Sequence, residues 1–213
     1  MTAALAPPWR LKILAQIVFD PVPTPPGATT VGPEPEPWAA KLIAAAESQI
    51  GTTVTYDPAY ARLAYPNGDV PRERGVCTDV VVRAYRDALG LDLQRLVHED
   101  MARAFRAYPR IWGLARPDRN IDHRRVPNLA TFFTRHNAAL AVSERGEDYR
   151  PGDIVTQLLP GRLAHIGIVT HRAGTDGARP MMVHNIGAGT RLEDVLFAFG
   201  ITGHFRYRPA SAV

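Results

Sequence analysis

Apolar and polar positions along the chain follow two different periods. Through LATFFTRHN (129–137) the apolar residues recur mostly at helical spacing, and beyond it they alternate or fall in short blocks. PWAAKLIAAAESQIG (37–51) is alanine-rich and ends on Gly51, which predicts a helix with a glycine stop. In RGVCTDVVVRAYRDALG (74–90), Val80, Val81, Ala84, Tyr85, Ala88 and Leu89 keep helical spacing and Gly90 closes the run. DLQRLVHEDMARAFRAYP (92–109) predicts an amphipathic helix with Asp92 as its N-cap. LATFFTRHN reads as a short helix behind Pro127. DIVTQLL, LAHIGIVTH, RPMMVHN and GHFRYR are β-branched or aromatic, bounded by Gly and Pro, and read as strands. Helices first and strands second predict an α+β domain, its N-terminal helices packed on a C-terminal antiparallel sheet.

The pattern also divides the chain. Residues 20–38, DPVPTPPGATTVGPEPEPW, are rich in Pro, Gly and Thr and read as an extended linker. Residues 1–37 are therefore assigned to a leader and linker, and 38–213 to one folded domain. Arg10, Lys12 and the short apolar run LKILAQIVF resemble a weak export signal. A periplasmic or secreted protein is the expectation, and a cytoplasmic one stays open. Between the first two helices, TTVTYDPAYARLAYPNGDVPRERG is punctuated by proline and glycine and predicts irregular chain.

Composition narrows the function classes. A length of 213 residues, 46% hydrophobic and 22% charged, is that of one ordinary globular domain. A net charge of +4 favours anionic surroundings, but no Lys/Arg run marks a nucleic-acid surface. No apolar stretch is long enough to span a bilayer. One cysteine excludes an internal disulfide. Nothing in the sequence sets the oligomeric state.

That cysteine, Cys77, falls where a helix begins. Pro71 and the stretch Arg72–Gly75 make an earlier start unfavourable. Free cysteine is often a small core hydrophobe, and positions 77, 81, 84, 85 and 88 share a helix face. Against this, first-turn N–H groups and the helix dipole favour a thiolate, and can lower a thiol pKa from about 8.5. Arg72 and Arg74 add nearby positive charge. A nucleophile also needs a base and an orienting group. Of seven histidines, 98, 123, 136, 165, 171, 184 and 204, His165 stands out because it opens a strand. Gly167 shares its face and would leave open space beside it. His184 lies on the following strand, and an antiparallel neighbour would bring it beside His165. Asn185 points to the other face, so alternation leaves either residue as the third group.

The segments ESQIGTTVTY, GVCTDVVVRAYRDALG, YRPGDIVT, AHIGIVT and MMVHN follow the order found in NlpC-like cysteine peptidases of the papain-like superfamily. More closely, GVCTDVVVRAYRDALGLDLQRLVHEDM, NIDHRRVPNL, PGDIV, HIGIV, VHNIG and GHFRYR resemble a bacterial family known as domain of unknown function 1287, over residues 38–208. The resemblance implies a papain-like, NlpC-type fold and no cofactor. It implies Cys77 as nucleophile, His165 as general base and His184 as the orienting third residue. Tyr56 matches the tyrosine that lines the substrate site. The chain departs at the nucleophile, where Val76-Cys77-Thr78-Asp79 replaces Asp-Cys-Ser-Gly. Asp79 would oppose a thiolate unless it pairs with an arginine. The gap between His165 and His184 is also longer than usual in the family, which puts the third position in question.

NIDHRR supplies Asp122, His123, Arg124 and Arg125, and the two arginines could bind a carboxylate bidentately. A salt-bridge cluster that locks the loop explains the same residues. With Tyr56, Asp79 and Asn185, they complete the expected substrate-side set. The implied activity is thiol-dependent hydrolysis of a peptide or amide bond, in bacterial peptidoglycan by family association. An acyl transferase on the same scaffold and a catalytically silent wall-binding module remain alternatives. A metal site from Cys77, His165 and His184 is disfavoured, because these residues lack short ligand spacings.

Overall fold

The computed structural model describes residues 30–174 and 176–208. The expected export signal lies outside the described residues. Among the described residues, four α-helices precede the main sheet: α1 (Pro37–Glu47), α2 (Cys77–Leu89), α3 (Leu93–Ala104) and α4 (Val126–Arg135). Between α1 and α2, β1 (Thr55–Tyr56) and β2 (Arg74–Gly75) form a small parallel pair. The strands β3 (Ala139–Leu140), β4 (Ile154–Leu159), β5 (Leu163–Ala173), β6 (Pro180–His184), β7 (Arg191–Glu193) and β8 (Gly200–Phe205) make one antiparallel sheet. Its order is β3-β8-β4-β5-β6-β7. The architecture is α+β, helices before strands. The last part of the proline-rich stretch is tied to the domain, since Thr30 bridges Arg172 and the Val31 N–H donates to the His171 carbonyl. No helix among the described residues is long and apolar enough to cross a membrane.

The sheet has two apolar faces. Ile154, Ile166, Ile168, Val183 and Phe205 pack under the helices. Val155, Val169 and Met182 face the other way and are covered by Tyr149, Val195 and Leu196. Strand alternation therefore sends His165 and His184 to the face away from the helices, with Val169 and Met182.

α2 lies deep in the molecule. Its first nine residues are all buried, so the helix is enclosed on every side there rather than along one stripe. Gly90 stops it in the left-handed conformation with φ +64°. Arg83 is fully buried and gathers the irregular segment onto the helix. It forks onto Asp69 and donates to Thr53 Oγ1 and to the carbonyls of Val70 and Arg74. Gln49, from the ESQIG segment, donates to the Val80 carbonyl at 3.0 Å and so ties the end of α1 to α2. Asp153, of the PGD segment, is fully buried and holds His204 and Arg206. The Arg83 and Gln49 contacts hold the first half of α2 against the end of α1 and the irregular segment.

Candidate active site

Cys77 is the first residue of α2, after the extended N-cap Val76. The Asp79 carboxylate turns back and accepts the Val76 N–H at 2.7 Å, which closes the first turn. The backbone N–H of Ile166 is directed at the Cys77 sulfur, as are those of Cys77 and Thr78. A strand N–H lies close to the plane of its sheet. The thiol therefore sits beside β5, one residue along from His165.

Behind His165 runs a chain of polar groups. His165 Nε2 is 3.1 Å from His184 Nδ1, within hydrogen-bond reach. His184 Nε2 is 3.0 Å from Glu193 Oε2, a close contact poorly aligned with the ring N–H. Their relative exposures are 3%, 1% and 8%, so the chain is shut off from water. Glu193 was not singled out from the sequence. It lies on β7, a three-residue strand that alternation in RLE is too short to reveal. Asn185 turns the other way, donating to the Gly75 carbonyl and accepting the Gly187 N–H.

The structure corrects three expectations about this region. Gly167 does not leave open space: a Cβ there would meet Met182 Cε at 2.8 Å and His184 Cβ at 3.0 Å. Glycine at 167 makes room for β6 side chains, not for a ligand. Arg72 and Arg74 do not supply charge to the thiol, because they pair at the surface with Asp87 and Asp57. The helix start does not lower the Cys77 pKa. Burial pushes the thiol up to about 12, Asp79 adds to the rise, and the three N–H groups only partly oppose it. Burial, with His184 beside it, also holds His165 well below its ordinary value. Both shifts favour the neutral form, thiol at Cys77 and imidazole at His165.

NIDHRR separates into two parts. Arg124 is consumed inside the protein: it forks onto Asp79 and donates to the Ala59 and Asp57 carbonyls. Asp79 and Arg124 thus form a buried ion pair, and Arg124 is not a free substrate clamp. Asp122 accepts the Asp118 N–H, and His123 is buried; neither lines the cleft at Cys77. Arg125 does line it, lying over the Trp112 ring at 4.2 Å. That cleft holds 170 Å³ and is also walled by Tyr56, Pro58 and Ala164. A second hollow of 90 Å³ reaches His165 and Asn185 and shares Tyr56 and Ala164 with the first. Tyr56 therefore stands between the two, and burial together with Cys77 and Asp79 raises its phenol well above its ordinary pKa.

His123 gives a pH signature. Burial, then Arg124, lowers its pKa to about 3. Its depressed value means stability is intact above the unfolded value of about 6.5 and is lost as pH falls toward 3. Asp122, raised by burial to about 6, acts oppositely and contributes most below its unfolded value. Urea unfolding at pH 7.5 and 4.5 should show His123→Leu losing about 2–3 kcal/mol less than wild type between the two. An identical loss in both proteins would contradict the assignment.

The family described as "Domain of unknown function (DUF1287)" matches residues 43–207. The chain belongs to this family. It is similar to the uncharacterized protein YijF of Escherichia coli (strain K12), 57% identical over 162 residues that cover 76% of this chain and 78% of YijF. The DUF1287 match contains Cys77, His165, His184, Glu193 and the NIDHRR segment, so the whole site lies within the family's shared region.

Proposed function

We propose that this DUF1287 protein is a thiol-dependent amide hydrolase with a papain-like, NlpC-type arrangement. The observation that carries the reading is a helix-start cysteine against Ile166 of β5, the residue after His165, where an imidazole–imidazole–carboxylate chain begins. Its substrate, on this reading, is a peptide bond of bacterial peptidoglycan, which would place the protein in the periplasm or outside the cell. The wall substrate rests on the NlpC-like resemblance and on the mild positive charge.

In the proposed reaction, Cys77 sulfur bonds to the amide carbonyl carbon as His165 takes the thiol proton. Because the resting pair is neutral, attack and proton transfer go together rather than from a preformed thiolate. Tyr56, kept protonated, and first-turn N–H groups of α2 face the developing oxyanion. The C–N bond then breaks, and His165 returns the proton to the leaving amine. Water, deprotonated by His165, attacks the thioester and releases the acid and the thiol.

Incubating wild type, Cys77→Ala and His165→Ala with soluble wall peptides, and reading new amino groups by mass spectrometry, tests the reading. Wild type should release amines and both variants should lose at least about 100-fold in rate. Alkylation of Cys77 should stay slow at pH 7 and rise only above about pH 9. One observation favours a second reading: the thiol is 5% exposed and its pKa is raised, as in a silent binding module. No amine release by folded wild type on any wall peptide would sink the hydrolase and leave that module.

A further inference from the structure

The two arginines of NIDHRR have opposite fates, and the difference bears on what the cleft receives. Each guanidinium nitrogen of Arg124 already has an acceptor: Asp79 for Nε, the Ala59 carbonyl for Nη1, and Asp79 with the Asp57 carbonyl for Nη2. Arg125 Nη1, by contrast, is buried with no hydrogen-bond partner among the described residues. Asp122 Oδ1 stands 3.5 Å from Arg125 Nη1, an ion-pair distance with no hydrogen bond, and both atoms are shielded from water. Burying a guanidinium N–H without an acceptor is unfavourable, so the contact with Asp122 alone leaves the Arg125 guanidinium under-satisfied.

The surroundings give that ligand a chemistry. The Arg125 guanidinium rests on the Trp112 ring, which holds its plane, and the side chain stays partly exposed at the cleft wall. It shares the 170 Å³ cleft with Cys77. No acidic residue lines that cleft among the described residues, and the other cation there, Arg124, is neutralised by Asp79. The rest of the wall is mostly apolar, with Pro58, Val76, Ile121, Val126 and Ala164 among its members. A planar, bidentate anion is what a flat, backed guanidinium in such a wall binds best.

We propose that Arg125, backed by Trp112, is a carboxylate subsite, so that the cleft takes acyl peptides carrying a free carboxylate near the bond offered to Cys77. The position of that bond rests on the hydrolase reading; the carboxylate subsite does not. Substrates with this group blocked as an amide are then discriminated against at Arg125 alone.

Calorimetric titration of full-length Cys77→Ala with N-acetyl-alanyl-alanine and with its C-terminal carboxamide reads the subsite without any turnover. The acid should bind about 10- to 100-fold tighter than the amide. Adding Arg125→Gln should erase the preference, and Arg125→Lys should retain part of it, as a point charge without the fork. Lysine also guards against a glutamine variant that fails to fold. Equal binding of acid and amide, no binding of either, or a preference that survives Arg125→Gln would overturn the subsite. Amine release by the Cys77-containing protein is read separately, so failure of the hydrolase reading and failure of the subsite are distinguishable.

Discussion

Arg124→Met should destabilise the protein by about 3–5 kcal/mol, one of the largest single-residue effects expected here. The side chains of Arg124 and Asp79 are 2% and 5% exposed, so neither charge is hydrated. Removing the guanidinium leaves the Asp79 carboxylate buried with only the Val76 N–H as a partner. The double variant Asp79→Asn/Arg124→Met should recover about half of the loss. Asparagine can still accept the Val76 N–H through its amide oxygen, and no charge is left behind. Urea denaturation of the wild type, both single variants and the double variant gives the coupling between the two sites. A loss below about 1 kcal/mol for Arg124→Met would mean that the pair contributes little, as exposed pairs do. The pair also bears on the thiol. Asp79 raises the Cys77 pKa even when paired, so a bare carboxylate would raise it further.

That arrangement shows which parts of the molecule could be read in advance. Helices α2 and α3 were legible because caps and glycine stops are local: Asp92 accepts the Gln94 N–H, and Gly90 takes φ +64°. α1 was legible from its alanine-rich run, but it ends at Glu47 with Ser48 as its C-cap and not at Gly51. The long strands were legible because β-branched residues alternate there. β1, β2, β3 and β7 run for two or three residues, too short for any period to register. The Asp79–Arg124 pair spans 45 residues, and its possibility was visible only as a carboxylate in want of a cation. Direction of charge was the least legible property. The helix start favours a thiolate, but burial outweighs it, and burial is a tertiary quantity. Glu193 was missed for the same reason: its place behind His184 depends on β7 pairing with β6, where Met182 faces Glu193 and His184 faces Arg191.

Glu193 underlies the second large effect: on the hydrolase reading, a carboxylate 3.0 Å from His184 Nε2 would set the proton positions along the chain behind His165. If its carboxylate is ionised, His184 must carry its proton on Nε2, facing Glu193 at 3.0 Å. The opposite tautomer would point a lone pair at the carboxylate. His184 Nδ1 is then an acceptor, and His165 must donate to it from Nε2 across 3.1 Å. That leaves His165 Nδ1 as the lone pair available to a proton from the thiol. On the hydrolase reading, His165→Ala removes the base and should lower kcat/KM by about 100- to 10,000-fold. Glu193→Gln keeps the shape but removes the charge, and its amide can also donate to His184 Nε2 and reverse both tautomers. A reversed tautomer in a comparable relay costs about 10,000-fold. Glu193 thus acts as a positioning residue through His184, and Glu193→Gln should lower kcat by about 100-fold or more with KM little changed. A structural role alone would not separate the two constants or move the pH profile. The profile of kcat/KM should shift its acidic limb in Glu193→Gln, because the imidazolium formed on His165 loses its distant counter-charge. Glu193→Asp, which keeps the charge on a shorter arm, should retain more activity than Glu193→Gln. If the glutamine variant turns over like wild type across the pH range, the carboxylate does not set the tautomers and the chain ends at His184.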